Sequence, residues 1–236
     1  MVRIVIIFLI FISSLNFAQY NGKDFSLFLG VDYTTSAQIF LNPNSSDIIL
    51  RNQSFEIANL YGAAFDFRYR LTDAIIVGLS SEYLSKSETA RNLTVFAGNQ
   101  IIRLEVEDGI IFIPLEASVH YHMPFSTELF KFTMAAGLGM YYGAQTRSFG
   151  DTKIRNIEKD IVFGLLVSMG MEYFPAEQIG VRLEMKFRDP EIKVKNQYEK
   201  TVVNYKGTEI TLLQDNFDSK INLDGISFLL GVTFQF

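Results

Sequence analysis

The chain contains no cysteine and no tryptophan, two histidines and five prolines in 236 residues. Without cysteine there can be no disulfide framework and no thiolate metal site. A formal charge of −5 leaves no basic excess for a nucleic-acid partner. Long apolar runs are also missing. After the N-terminus the longest candidate, Ile161 to Met171, is interrupted by Gly164, Ser168 and Gly170, and falls short of the roughly 20 apolar residues a membrane helix needs. In their place the chain has 22 Phe and 11 Tyr, a composition suited to extended structure with a demand for amphipathic rings.

The first residues read as an export signal. Arg3 precedes an apolar run from Ile4 to Ile12, followed by Ser13, Ser14 and a small Ala18 before Gln19. This run is too short to span a bilayer. The expected organisation is a signal peptide over 1–18 and a single domain over 19–236, because the texture is uniform from about residue 25 onward. An exported chain with no membrane helix can live in lipid only as a closed barrel, which satisfies every backbone hydrogen bond internally.

Period-two alternation supports that architecture. Eight runs set apolar side chains on one face, near 24–35, 57–71, 74–85, 110–123, 130–145, 160–174, 179–188 and 225–236. In the second run Tyr61, Ala63, Phe65, Phe67 and Tyr69 oppose Gly62, Ala64, Asp66, Arg68 and Arg70. In the first, Phe28 breaks the pattern. The connections at 72–73, 124–127 and 175–178 are short. Those at 36–56, 86–109, 146–159 and 190–223 are long and polar and read as loops, the last able to extend the barrel as a hairpin. The expected fold is all-β: a closed antiparallel up-and-down transmembrane β-barrel of about eight strands, with the termini on the periplasmic side with the short turns.

Alternation alone does not say which face is outside. The non-apolar face is rich in Gly, Ala and Ser with charges of both signs, as the crowded interior of an eight-strand barrel requires and a water-facing sheet does not. Tyr33, Tyr61, Tyr69, Tyr83, Tyr121, Tyr142, Tyr173 and Phe236 fall toward strand ends, where interfacial girdles lie.

The terminal strand, with Phe228, Leu230, Val232, Phe234 and a C-terminal Phe236, resembles the assembly signal of bacterial outer-membrane barrels. The mature length is similar to the small eight-stranded outer-membrane β-barrel domain family of OmpX and OmpA type. The resemblance implies an outer-membrane protein that contacts lipid, meets the barrel-assembly machinery through its last strand, and is a monomer.

Asp66, Arg68, Arg70, Glu82, Glu116, Glu172, Arg182, Glu184, Lys186 and Arg188 are all expected inside, where ionic groups must be paired or hydrated. They form either a salt-bridged plug or the lining of a polar pocket or narrow pore. His120 and His122 share a face with Ser118 and Glu116, a spacing that raises a metal site or a Ser-His-Glu arrangement. One strand cannot converge a triad, so no catalytic, metal or cofactor site is assigned. Gly137 and Gly139 lack the third glycine of a nucleotide loop and read as room for bulky neighbours. The expected role is non-enzymatic, structural or surface-recognising through long extracellular loops. A channel for small solutes or hydrophobic compounds and a lipid-A-modifying enzyme are the alternatives. Mass analysis of the mature protein should place its first residue at or near Gln19; retention of Met1 would contradict the export reading.

Overall fold

The computed structural model describes residues 23–97, 100–212 and 214–236. The expected signal over 1–18 lies outside them. Strands β1 (Phe25–Phe40), β2 (Ser54–Arg70), β3 (Ile75–Ala97), β4 (Gln100–His122) and β5 (Phe130–Phe149) form a continuous antiparallel meander. Three further staves are each broken once. These are β6 (Thr152–Lys159) with β7 (Ile161–Tyr173), β8 (Ile179–Arg188) with β9 (Glu191–Tyr198), and β12 (Asn216–Asn222) with β13 (Ile226–Gln235). A separate hairpin, β10 (Val202–Tyr205) and β11 (Thr208–Thr211), lies between β9 and β12, and a short helix α1 (Ile48–Asn52) lies between β1 and β2.

The breaks fall at Asp160, at Asp189 with Pro190, and between Leu223 and Gly225. Pro190 has no N–H to give the ladder, while its carbonyl still accepts from Leu223 N at 3.3 Å. Following the pairings around, β1 closes on β13 near the chain termini and on β12 farther along. β5 likewise pairs with β7 and then with β6. The eleven strands of the main sheet therefore close as eight staves. Closure at the termini is direct: Phe25 N donates to Phe236 O and Phe236 N to Phe25 O, both at 3.0 Å.

The barrel has two tiers with opposite solvation. In the tier that carries the termini and short turns, apolar side chains point outward around the whole circumference. They include Val31, Phe65, Leu79, Val119, Leu138, Leu183 and Leu230, and reach 75% exposure at Phe163. A contiguous apolar ring of this size has no place in water; it fits hydrocarbon. Tyr33, Tyr61, Tyr83 and Tyr142 mark its upper margin and Tyr69, Tyr121 and Tyr173 its lower one, as interfacial girdles do.

Above that margin the outward face becomes polar, with Ser85, Ser87, Thr89 and Arg91 on β3 and Glu191, Lys193 and Lys195 on β9. The inward face becomes apolar instead. Ile39, Ile57, Leu60, Leu84, Ile110, Phe112, Tyr141, Ile192, Val194, Ile221 and Leu223 form one buried cluster. The upper tier is packed like a small water-soluble barrel.

The segments 86–109 and 146–159 are thus not mainly loops, and 36–40, 54–56, 191–198 and 216–222 of the other two also continue the barrel wall. Alternation persists there with the apolar side turned inward, as at Ile192 and Val194 between Glu191, Lys193 and Lys195. Phe28, the exception in its run, points into the lumen and is buried. Its ring occupies space a side chain at Gly30 or Gly231 would need.

The two tiers predict opposite tolerance to charge. Val167→Arg, midway along β7, should lower unfolding free energy in lipid by ~2–4 kcal/mol, whereas Ile157→Arg on the polar outer face of β6 should cost about 0–1 kcal/mol. Equal costs in denaturant titrations of the two variants would contradict the band assignment.

Candidate functional site

The lower lumen is filled with ions. Alternation along β2, β3, β4, β7 and β8 points Asp66, Arg68, Glu82, Glu116, Glu172, Arg182, Glu184, Lys186 and Arg188 inward, and all nine are buried. They fall in two connected layers. In the layer nearer the termini Arg182 bridges Asp66 at 2.6 Å and Glu172 at 2.5 Å, while Arg68 meets Asp66 at 2.7 Å and Glu184 at 2.5 Å. The Arg182 guanidinium also lies 4.7 Å over the Phe28 ring. In the layer above, Arg188 reaches Glu82 at 2.5 Å, Glu116 at 2.9 Å and Asp32 at 3.3 Å. Lys186 pairs with Glu82 at 2.7 Å and with Glu116 at 2.8 Å. Ser80, Ser227 and Thr34 supply further hydrogen bonds.

Arg70 is the member of the expected set that the structure does not bring in. It lies at the terminal mouth beside Lys131 and Gln235, and no ion pair of it is seen among the described residues. Asp32 is the member that sequence reasoning missed. It sits on the inner face of β1 two residues from Gly30, and its alternation with Val31 and Tyr33 was the available signal.

Ser118 and His120 do meet, with Oγ and Nε2 2.8 Å apart. The arrangement goes no further. Glu116 is engaged by Lys186 and Arg188, and His120 Nδ1, where a triad needs its carboxylate, has no hydrogen-bond partner among the described residues. His122 lies at the rim, 3.2 Å from the Asp73 carbonyl. Among the described residues no group of three or more His, Asp or Glu is placed to hold a metal. Gly139 leaves space for the Tyr141 ring, which stacks on Phe112 with centroids 5.7 Å apart.

Above the apolar core a second polar layer joins Asp108, Gln145, Arg147, Asn196 and Ser219. Arg147 grips Asp108 through Nε at 2.6 Å and Nη2 at 3.0 Å, the fork geometry in which arginine binds carboxylate best. Asn196 donates to Gln145 Oε1 and Ser219 Oγ. The β10–β11 hairpin covers this layer, its Val203 buried against Val106, Phe149 and Tyr198.

The wall opens between β2 and β3. Pairing between β2 and β3 ends at Tyr61 with Ser85, although both strands continue. Asn59, with φ of 57°, takes the left-handed conformation that Asn tolerates better than most residues. Beyond it β2 stays paired to β1 and leaves β3. Over this seam lies a cavity of about 570 Å³. Leu41, Leu50, Phe55, Leu93, Leu212 and Phe217 give it apolar walls, and Arg91, Arg103 and Arg147 line it as well. At its margin the Lys206 ammonium, 3.2 Å from Glu105, together with the nearby Arg91, holds the Glu105 carboxyl below its usual range.

Fold and filled lumen together define a transmembrane β-barrel of the outer-membrane type. No protein-family model matches the chain, and no curated protein sequence is similar to it. Solved structures are similar in fold. Against the outer membrane protein OprG from Pseudomonas aeruginosa the TM-score is 0.63 at 14% identity, covering 91% of this chain and 96% of that one. Against the outer membrane protease OmpT from Escherichia coli it is 0.52 at 8% identity, covering 94% of this chain and 100% of that one. The fold is that of the small bacterial outer-membrane β-barrels.

Arg188 is the hub of the upper ionic layer, so Arg188→Met should destabilise the barrel by ~3–5 kcal/mol by stranding buried carboxylates, and adding Glu82→Gln should recover part of the loss. A double-mutant cycle on unfolding free energies reads this directly. Strictly additive costs would mean the pair is not coupled.

Proposed function

We propose that this protein is a non-conducting, non-enzymatic outer-membrane barrel whose task is surface recognition through the tier that stands above the membrane. The short-turn end and the termini face the periplasm, and the tall tier with its hairpin cap and cavity faces outside. The last strand, through Phe228, Leu230, Val232, Phe234 and Phe236, serves as the signal to the assembly machinery.

The observation that carries the reading is a lumen filled over its length. Two ionic layers, an apolar core, a polar layer and the Val203 cap succeed one another. Water entering along the axis would have to separate buried pairs whose attraction is strong at low dielectric. It would then have to wet a core of Ile, Leu and Phe.

The seam and cavity favour, as a second reading, a conduit for hydrophobic compounds. The cavity connects sideways, however, and Ile57, Leu84 and Phe112 fill the lumen beneath that level. Recognition therefore fits the geometry better than passage. OmpT is a protease, but a likeness at 8% identity carries no activity over to this chain, and the Ser118–His120 contact is sealed inside the plug.

In planar bilayers the purified protein should give no steady conductance. Large, reproducible open-channel steps would overturn the plug and favour the channel reading.

A further inference from the structure

The cavity over the β2–β3 seam has a definite chemistry. Its apolar side comes from three separate parts of the chain: Leu41 and Leu50 between β1 and β2, Phe55 on β2 with Leu93 on β3, and Leu212 with Phe217 around the start of β12. Its polar side is cationic although the whole chain is acidic. Of the three arginines, Arg147 is neutralised by the buried Asp108. Arg91 shares Glu105 with Lys206, at 3.5 Å and 3.2 Å, and Arg103 has no ion-pair partner among the described residues. Among the described residues that line the cavity none is a carboxylate, so Arg103 and the shared Arg91 leave its rim cationic.

We propose that this cavity binds an anionic amphiphile, a molecule with a compact apolar body and one carboxylate, sulfate or phosphate group. The apolar body sits between Phe55, Leu93 and Leu212, and the head group meets Arg103 and Arg91 at the rim. A volume of about 570 Å³ suits a ligand with two fused rings or a medium acyl chain, in the middle of the range for small-molecule sites. Arginine is apt for such a head group, because its planar fork presents paired donors to an oxyanion. Apolar walls exclude water from one side of the pair and strengthen it. The seam supplies the entrance, since β2 and β3 carry no ladder there for a ligand to break.

This inference rests on the surface-recognition reading and is tested with that dependence visible. The full-length protein in nanodiscs is titrated calorimetrically with naphthalene-2-sulfonate and with the neutral 2-naphthylmethanol. The sulfonate should bind saturably at one site per chain, at least tenfold more tightly than the alcohol, and weaken as salt is raised. Arg91→Gln with Arg103→Gln should erase that tenfold preference while leaving alcohol binding within twofold. Leu93→Asp should abolish both. Folding of each variant is checked by its unfolding transition, and Arg103→Lys, which keeps the charge but loses the fork, should retain an intermediate affinity.

Equal binding of sulfonate and alcohol, lost in Leu93→Asp, would overturn the anionic preference and leave a recognition cavity in place. Absence of saturable binding by either probe, or binding untouched by Leu93→Asp, would overturn the site itself. Failure of the non-conducting reading would instead show in the bilayer recordings.

Discussion

Eight staves enclose an interior only wide enough for side chains, and in the tier that meets lipid those side chains are largely charged. Arg68, Arg182, Lys186 and Arg188 each touch two or more carboxylates. Outside is hydrocarbon, so a burial force from water cannot hold this tier together as it does a soluble barrel. Cohesion comes from the ladder and from ionic contacts that draw opposite walls together. Arg68 of β2 reaches Glu184 of β8, and Arg188 of β8 reaches Glu116 of β4. Buried pairs are weak contributors when compared with a packed apolar core, yet breaking one is expensive. An ionic lumen thus ties each stave to a definite register.

Above the girdle the same staves solve the opposite problem. Once the outer face meets water, the ordinary pattern returns, with apolar side chains inside and charges outside, and the hydrophobic effect stabilises the tier. The change of solvent along the strands is sharpest at the Asp189–Pro190 break. Below it the inner residues are long and charged, from Arg182 to Arg188; above it they are Ile192 and Val194. Local interruptions of the ladder let the wall adjust between two differently filled interiors, and the polar side chain of Asn156 bridges such a gap by donating to Gln145 O.

On the proposed reading function resides in the upper tier. The lower lumen is filled by paired charges, whereas the seam beside Asn59 opens a cavity whose walls come from distant segments. Rigid staves beneath and a cavity bordered by connecting segments above is a common division of labour, in which the scaffold fixes positions and the connections meet ligands.

Much of this was legible in the sequence. Period-two alternation located the eight staves, and the small, mixed-charge face identified the interior, because a narrow lumen admits only Gly, Ala, Ser and residues that can be paired. The aromatic positions marked both girdles. Residues 36–56, 86–109, 146–159 and 190–223 were harder to read. Their polar residues look like loop composition, and it takes the fold to show that in 86–109, 146–159 and 191–198 these face water from a wall whose other side is an apolar core. The partners of each charge, the exclusion of Arg70, the turning of Phe28 over Gly30 and Gly231, and the cavity were decided by tertiary structure alone. Alternation fixes which face a side chain takes, but which residue it meets across the lumen depends on stagger and closure, and those are properties of the whole ring rather than of any one strand.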